Sequence, residues 1–224
     1  AKLTKTSIPG EPFYPRRVLH FLTTHYRLHV RPAFIFDVSG GTLTLLATGN
    51  NGSLGISLDT TASTIDADVI GTTTGGIAID NTTSATALTV TFTSPSTAAE
   101  TGDGSITLSN SGGDMTVDSV TTAATTGTGD ITIVEDGGAL IVTTVTATTT
   151  TTGSADVSIS GTGDLTTVGT VTTGTVAVTS GDASVTIDSA NGLAVTEVTT
   201  NSTLGDASIS IDNTGGVAGI TTLT

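Results

Sequence analysis

Cysteine and tryptophan are absent from this chain of 224 residues, and aromatic residues make up only 3% of it. Without cysteine the chain can form no disulfide and has no thiolate ligand for a zinc or haem site. Charged residues reach only 12% and there are five prolines, whereas disordered chains are usually rich in both. These shortages exclude a disulfide scaffold and argue against disorder, so we expect stability to come from regular backbone pairing.

Long apolar runs are missing as well. No stretch approaches the roughly 20 residues that a membrane-spanning helix needs. The sequence also begins without a recognisable signal peptide, so a secreted form of this chain is expected to have lost that segment.

The residues that are present favour β-structure. Threonine supplies 54 positions and glycine 28, and the mean hydropathy is +0.27. Valine, isoleucine and threonine are branched at Cβ, and such stiff side chains pack well on the pleated surface of a strand. We therefore predict an all-β protein.

Charge divides the chain into two segments. All lysines, arginines and histidines lie at or before Arg31, whereas all acidic residues except Glu11 and Asp37 lie after Asp37. Residues 1–37 thus carry a net +4, from six cations and two acids, and residues 38–224 carry −18. We predict a basic, aromatic N-terminal cap or docking segment over 1–37 and an acidic, Thr/Gly-rich body over 38–224.

The second half of the body is repetitive. Each of five units opens with two alternating apolar residues, and the first members of successive pairs are spaced by 25, 26, 28 and 24. These pairs are Ile106/Leu108, Ile131/Ile133, Val157/Ile159, Val185/Ile187 and Ile209/Ile211. A glycine stands seven positions after the opener in four units, and the third unit has Asp164 there instead.

A second apolar pattern follows the glycine, with steps of two and then three residues. It reads Met115/Val117/Val120, Leu140/Val142/Val145 and Leu193/Val195/Val198, partially Thr166/Val168/Val171, and is largely lost at Val217/Gly219/Thr222. Strand side chains alternate with period two, so the step of three predicts a corner at Asp118–Ser119. The expected fold is a right-handed parallel β-solenoid whose coils stack in register, with Ile131 above Ile106 and Val142 above Val117.

Residues 38–104 predict earlier and more degenerate coils. Alternating strand candidates there are Leu43/Leu45, Ile56/Leu58, Ile77/Ile79 and Leu88/Val90/Phe92. The alternative architecture is an immunoglobulin-like sandwich, because short strands at even spacing suit it too. The phased glycine and apolar positions favour the solenoid. The last unit runs to Thr224 without a polar cap, so a longer natural protein or a stacked subunit is expected there.

Two stretches carry a family resemblance. The sequences GDITIVEDGGALIVTTVTA and GTGDLTTVGTVTTGTVAVTSGDASVTI, within about residues 100–224, resemble repeats of filamentous-haemagglutinin-like surface proteins. Those proteins are large secreted bacterial adhesins with right-handed parallel β-helices. The resemblance implies an elongated shape, an extracellular or cell-surface location, and an adhesive or scaffolding role.

The N-terminal segment allows two local structures. Residues 24–31 alternate between apolar and basic side chains, which predicts a strand with one apolar face, Tyr26, Leu28 and Val30, and one basic face. The alternative is a helix beginning at Pro15, since proline suits the first helical position. Either could cover an open end of the solenoid, where bare strand edges would invite aggregation.

Two roles are open for residues 1–37: a cap on their own solenoid, or a segment that docks on the acidic body of another copy and builds a head-to-tail homopolymer. Complementary charge favours the docking role. The residues predicted to dock are Arg16, Arg17, Phe21, Tyr26, Arg27, Arg31, Phe34 and Phe36. Nucleic-acid binding by these cations is disfavoured because the acidic body would repel phosphate. His20, His25 and His29 do not have the spacing of a metal site and are interpreted as surface histidines.

A row of aspartates accompanies the repeat. Asp103, Asp130, Asp156, Asp182 and Asp206 recur at spacings of 27, 26, 26 and 24. If they stack, five carboxylates line one edge, where calcium could bind because it prefers oxygen ligands. Solvated Gly-Asp turns are the favoured interpretation, because the calcium-binding nonapeptide repeat of some solenoids is absent.

A row of hydroxyls is predicted on the outer face. It consists of Ser119/Thr121, Thr144/Thr146, Thr170/Thr172 and Glu197/Thr199. Regular Thr-x-Thr arrays resemble those of ice-binding proteins, which makes ice binding an alternative function. Three glycosylation sequons, at Asn51, Asn81 and Asn201, weakly indicate exposed positions.

Catalysis has little support. The body contains no lysine, arginine or histidine, and no nucleophile elbow, phosphate loop or metal-binding histidine pair occurs. We expect no enzymatic activity and no cofactor other than the calcium considered above. The function expected is that of an extracellular structural protein, a subunit of a surface filament, sheath or adhesin stalk. The alternatives are an adhesin that binds a glycan or surface, and an ice-binding protein; no nucleic acid and no membrane span is expected.

Overall fold

The computed structural model is an all-β solenoid of stacked parallel strands. It describes residues 17–20, 26–30, 35–39, 42–49, 56–71, 76–81, 90–99, 104–111, 113–163, 166–175, 181–216 and 218–224. Within them no helix is long and apolar enough to cross a membrane.

Nineteen strands are described, in chain order. The first nine are β1 Arg17–His20, β2 Tyr26–Val30, β3 Ile35–Ser39, β4 Thr42–Gly49, β5 Ile56–Thr61, β6 Thr64–Gly71, β7 Ile77–Asn81, β8 Val90–Phe92 and β9 Ser96–Ala99. The others are β10 Ile106–Ser111, β11 Met115–Thr126, β12 Ile131–Asp136, β13 Leu140–Thr152, β14 Val157–Gly161, β15 Thr166–Thr175, β16 Ala183–Ser189, β17 Leu193–Ser202, β18 Ala207–Asn213 and β19 Ala218–Leu223.

The strands form two sheets. Sheet A has the order β1-β3-β5-β7-β10-β12-β14-β16-β18, and sheet B runs β2-β4-β6-β8-β11-β13-β15-β17-β19, with β9 between β6 and β11. The strand pairs are parallel, as between β10 and β12 or β11 and β13. One coil therefore consists of a sheet A strand and the sheet B strand that follows it. Parallel strand–connection–strand units are almost always right-handed.

The predicted register is confirmed. Ile131 pairs with Ile106 in sheet A, and Val142 pairs with Val117 in sheet B. The sandwich alternative is wrong, because successive units lie side by side in the same sheet. Each coil presents a few aliphatic side chains, and stacking joins them into one continuous core.

The core consists of inward columns. In sheet A they include Ile77, Ile106, Ile131, Val157 and Val185, and beside them Ile79, Leu108, Ile133, Ile159 and Ile187. All ten side chains are buried. Burial of each contributes about 1.5–3 kcal/mol, and the stiff β-branched side chains among them lose little rotamer freedom on packing.

The predicted corner is present as a shift in the inward alternation of sheet B. Val117 and Val120 are both buried, and Asp118 between them is exposed. The pairing of β11 with β13 continues from Ser119 but omits Asp118. Each strand nevertheless runs on through this point, so the corner is a one-residue irregularity within a strand and not a break.

Strands β4 and β6 pair without this corner. In β6 the buried residues Ile65, Ala67 and Val69 keep strict alternation. The extra residue that shifts the alternation lies between β8 and β9. Pro95 is buried three positions after Phe92, and Phe92 pairs with Val117. The candidate strands at Leu43, Ile56, Ile77 and Val90 are confirmed, whereas Leu88 lies outside the described residues.

One detail of the repeat was predicted wrongly. The apolar pattern of the last unit is not lost at Val217/Gly219/Thr222, since Ala218, Ile220 and Leu223 pair with Leu193, Val195 and Val198. The apolar pattern begins one residue later because the connection before β19 is longer than the connection before β17. In the third unit Gly163, one residue before the expected position, packs against Gly138.

The N-terminal strands join the same two sheets. β1 pairs with β3, and β2 pairs with β4, both in parallel. The strand predicted within residues 24–31 is confirmed over Tyr26–Val30. The alternative helix from Pro15 is wrong over residues 17–20, which form β1. β3 crosses residue 37, and the division of the chain into 1–37 and 38–224 stays a prediction.

Candidate functional surfaces

An inner polar column runs beside the apolar core, two residues after the second sheet A column. It consists of Asn81, Asn110, Glu135, Gly161, Ser189 and Asn213. The side chains of Asn81, Asn110, Glu135 and Ser189 are buried. Sequence reasoning missed this column because its six members belong to four residue types. The position itself, four residues after each opener, was available as a signal.

Hydrogen bonds connect the column from coil to coil. Asn81 Nδ2 donates to Asn110 Oδ1 at 2.8 Å, and Asn110 Nδ2 donates to Glu135 Oε2 at 2.6 Å. Buried polar groups require such partners, since an unpaired one costs about 1–3 kcal/mol. The column thereby couples three successive coils.

The same side chains close the turn that links each sheet A strand to the next sheet B strand, here called the glycine turn. Asn110 Nδ2 also donates to the Gly113 carbonyl at 2.8 Å, and Ser189 Oγ donates to the Gly192 carbonyl at 2.7 Å. At Glu135 the direction reverses, because the Gly138 amide donates to Oε1 at 2.9 Å. One inward polar residue therefore fixes each of these turns.

Glu135 is fully buried. Burial raises the pKa of its carboxyl above the ordinary 4.5, and the neighbouring carboxylates Asp114 and Asp136 raise it further, against the hydrogen bonds from Asn110 and Gly138 that lower it. Beyond Arg31 the sequence contains no cationic residue. A buried charge is costly without a partner of opposite sign, so desolvation dominates here.

Gly161 is the one member of the inner polar column without a side chain, and its neighbour compensates. A Cβ at Gly161 would lie 2.1 Å from Thr166 Oγ1. Thr166 stands where Met115 and Leu140 stand in earlier coils, and its hydroxyl lies within hydrogen-bond distance of Ser189 Oγ, at 3.1 Å. The third unit therefore departs from the apolar pattern in the same coil in which the inner polar column has a glycine.

The predicted aspartate row lies in the turns from sheet B to sheet A but forms two pairs. The Asp156 amide donates to Asp130 Oδ1 at 3.0 Å, and the Asp206 amide donates to Asp182 Oδ1 at 2.9 Å. Between the pairs the row is broken, because the backbone amide that donates to Asp156 Oδ1, at 2.9 Å, belongs to Ser184 and not to Asp182. The longer spacing of that unit, from Val157 to Val185, inserts two residues. Asp103 lies outside the described residues.

These carboxylates also accept hydrogen bonds from serine hydroxyls. Ser184 Oγ donates to Asp156 at 2.6 Å, and Ser154 Oγ donates to Asp130 at 3.1 Å. Among the described residues no group of three or more histidine, aspartate or glutamate side chains is placed to hold a metal ion. Calcium binding by the aspartate row stays a prediction.

The outer face of sheet B carries two hydroxyl columns. One contains Ser119, Thr144, Thr170 and Glu197, and the other contains Thr121, Thr146, Thr172 and Thr199. Members of a column are about 4.8 Å apart, as neighbouring strands are. The predicted stacking of this row is confirmed. All of its serine and threonine members are half-buried.

Four of the residues predicted to dock lie in described strands. Tyr26 pairs with Leu43, and Phe36 pairs with Leu58, so both occupy register positions of inward columns. Arg17 pairs with Phe36, and Arg27 pairs with Thr44. Arg16, Phe21, Arg31 and Phe34 lie outside the described residues, as does His25. Docking by these residues stays a prediction.

The opposite end of the solenoid exposes aliphatic side chains. β18 and β19 are the outermost strands of their sheets. Ile220 and Leu223 continue inward columns, yet they are 43% and 49% exposed, and Leu204 is 62% exposed. The end face formed by Leu204, Ile220 and Leu223 therefore combines two strand edges with exposed aliphatic side chains.

Comparison with known proteins adds no relative. The chain matches no protein-family model, no curated protein and no solved structure. The β-helix repeat architecture implied by the resemblance is confirmed by the fold alone.

The sequon prediction is wrong at Asn81. Its amide is buried in the inner polar column and bonds to Asn110, so the folded protein cannot present it to a glycosyltransferase. Asn201 is exposed, and Asn51 lies outside the described residues.

Proposed function

We propose that this chain is an extracellular structural protein, a filamentous-haemagglutinin-like subunit of a surface filament, sheath or adhesin stalk that joins other copies head to tail. The observation that carries the proposal is the in-register parallel stack, in which each coil offers the next one strand edges and apolar columns. The outermost strands β18 and β19 present the same edges and columns. A second solenoid can therefore add there by the same parallel pairing.

The geometry suits a mechanical role. Sheet A contains nine strands, so its eight interstrand steps of about 4.8 Å give a rod of about 38 Å. Both sheets run along this axis, and every coil is hydrogen-bonded to the next. End-to-end contact between copies is a heterologous interface, and such interfaces produce open filaments when they do not close into rings.

The proposed partner of the end face is the N-terminal coil of another copy. β1 and β2 are the outermost strands at the other end of the two sheets, so β18 and β19 would extend them. The two ends have opposite charge: every cation lies at or before Arg31, while Asp206 and Asp212 lie in the last coil. Complementary charge accelerates association and selects the orientation.

The distribution and burial of the aromatic residues favour a scaffold over a glycan-binding adhesin. Binding sites for sugars commonly rely on exposed aromatic side chains. Beyond residue 36 the single aromatic residue is Phe92, and it is fully buried. The extracellular location rests on the family resemblance of residues 100–224.

The assembly is tested by Ile220→Lys, which places a charge on the end face. We expect the wild-type protein to form polymers with increasing concentration and the variant to assemble at least tenfold more weakly, equivalent to about 1.4 kcal/mol. Ile141→Lys is the matched control, since Ile141 lies in the same sheet, is 45% exposed and is remote from the end face. Analytical ultracentrifugation measures both. A wild type that stays monomeric, or two variants that assemble equally well, would contradict the proposal.

Ice binding is a second candidate, and the hydroxyl columns favour it. They form a regular two-column array on the face of a parallel sheet. Thermal hysteresis in a solution of the wild-type protein would support this function, and coincident freezing and melting points would exclude it.

A further inference from the structure

The Glu135 clasp is a place where charge and burial conflict. It consists of Glu135 with its two donors, Asn110 Nδ2 at 2.6 Å and the Gly138 amide at 2.9 Å. The clasp joins two adjacent coils and closes a glycine turn. Both donors satisfy the carboxylate locally, but neither carries a positive charge.

Among the described residues, every charged group that faces the clasp is acidic. The turn after β10 contributes Asp114, which accepts from the Ala139 amide at 3.0 Å, and β12 itself contributes Asp136, which accepts from Thr162 Oγ1 at 2.7 Å. The other elements beside the clasp contribute uncharged residues, namely Asn110 from β10, Gly161 from β14 and Leu140 from β13. No lysine, arginine or histidine follows Arg31.

We propose that the Glu135 clasp is an acid-strengthened lock, so that uptake of one proton inside the glycine turn makes the stacked coils more stable as the medium becomes acidic. The proton removes a desolvated charge and the repulsion from Asp114 and Asp136. A neutral carboxyl still accepts hydrogen bonds, so the turn keeps its geometry.

The sign follows from proton linkage. The pKa of Glu135 is raised in the folded protein, so between pH 4.5 and that higher value the folded state binds more protons than the unfolded state. Stability then increases as the pH falls through the folded pKa, and the gain is complete below 4.5. It is lost again as the pH rises.

The test compares urea unfolding of the full chain as wild type, Glu135→Gln and Glu197→Gln, between pH 7 and pH 5 at constant ionic strength. Glu197 is exposed on the outer face of β17, so its variant removes the same charge outside the clasp. We expect the urea midpoints of wild type and Glu197→Gln to rise on acidification, and that of Glu135→Gln to rise clearly less. Equal pH dependence in all three proteins would overturn the proposal.

A second measurement is independent of whether Glu135→Gln folds. The chain has four glutamates, at positions 11, 100, 135 and 197, so selective carboxyl ¹³C labelling gives a simple NMR spectrum. We expect the Glu135 resonance of the wild-type protein to titrate with a midpoint above 4.5. A midpoint at or below 4.5 would overturn the lock, and it would leave the head-to-tail proposal untouched.

Discussion

Gly138→Ala is expected to lower the free energy of unfolding by about 3 kcal/mol, at the upper end of the cost of overpacking a well-packed site. A Cβ at this position would lie 2.2 Å from the Gly113 carbonyl oxygen and 2.7 Å from the Asp114 amide nitrogen. Both are backbone atoms of the preceding coil, so no side-chain rotation can relieve the clash. The coils would have to separate locally, which would also disturb the Gly138 amide that donates to Glu135.

Gly219→Ala is the matched control. A Cβ at Gly219 would meet nothing within 4 Å, and the residue lies within strand β19, where an alanine side chain has room. Alanine there is expected to change the unfolding free energy by less than about 0.5 kcal/mol. Urea denaturation of both variants measures the difference. Equal stability of the two would mean that the coils do not approach as closely as the structure indicates.

Ile133→Ala is expected to have the second large effect and to lower the free energy of unfolding by about 2–5 kcal/mol. Ile133 is fully buried between Leu108 and Ile159 in an inward column. Its removal leaves a cavity that the stacked strands cannot collapse, because their spacing is set by backbone hydrogen bonds. The variant should unfold at a clearly lower urea concentration.

Ile141→Ala tests whether this loss depends on burial. Ile141 lies in the coil formed by β12 and β13, like Ile133, but its side chain is 45% exposed on the outer face. We expect a loss below about 1 kcal/mol, since little apolar area leaves the core. Similar losses at both positions would contradict the assignment of inward and outward columns.

The stacked architecture could be predicted from the sequence because the apolar positions repeat. The opener pairs at Ile106 and Ile131 and the pattern at Val117 and Val142 lie in the predicted register. A period-two alternation places side chains on one face, and its repetition at nearly constant spacing indicates stacking. The corner near Asp118 followed from the same reasoning.

The errors arose where connections change in length. The extra residues before β16 displace Asp182 from Asp156, so that Ser184 takes the paired position. One residue more before β19 moves the apolar pattern to Ala218 and Ile220. A fixed distance from the opener cannot anticipate these changes, because strand pairing absorbs insertions in the turns.

The inner polar column was missed for a different reason. Its members close the glycine turns with an amide, a carboxylate or a hydroxyl, and at Gly161 the Thr166 hydroxyl occupies the space of the missing side chain. Different residue types thus solve the same hydrogen-bonding problem in successive coils. Pattern recognition by residue type cannot detect this equivalence, whereas counting positions from the opener can.

Distances between spin labels along one outer column of sheet A test the stacking most directly. Ala78, Ser158, Thr186 and Ser210 lie in this column and are exposed, and engineered cysteines there are unique because the chain has none. Three, four and five interstrand steps of about 4.8 Å predict backbone separations of about 14, 19 and 24 Å from position 78 to positions 158, 186 and 210. Double electron–electron resonance should give distances that increase evenly in that order. Distances that fail to increase with each coil would contradict the solenoid and the scaffold function built on it.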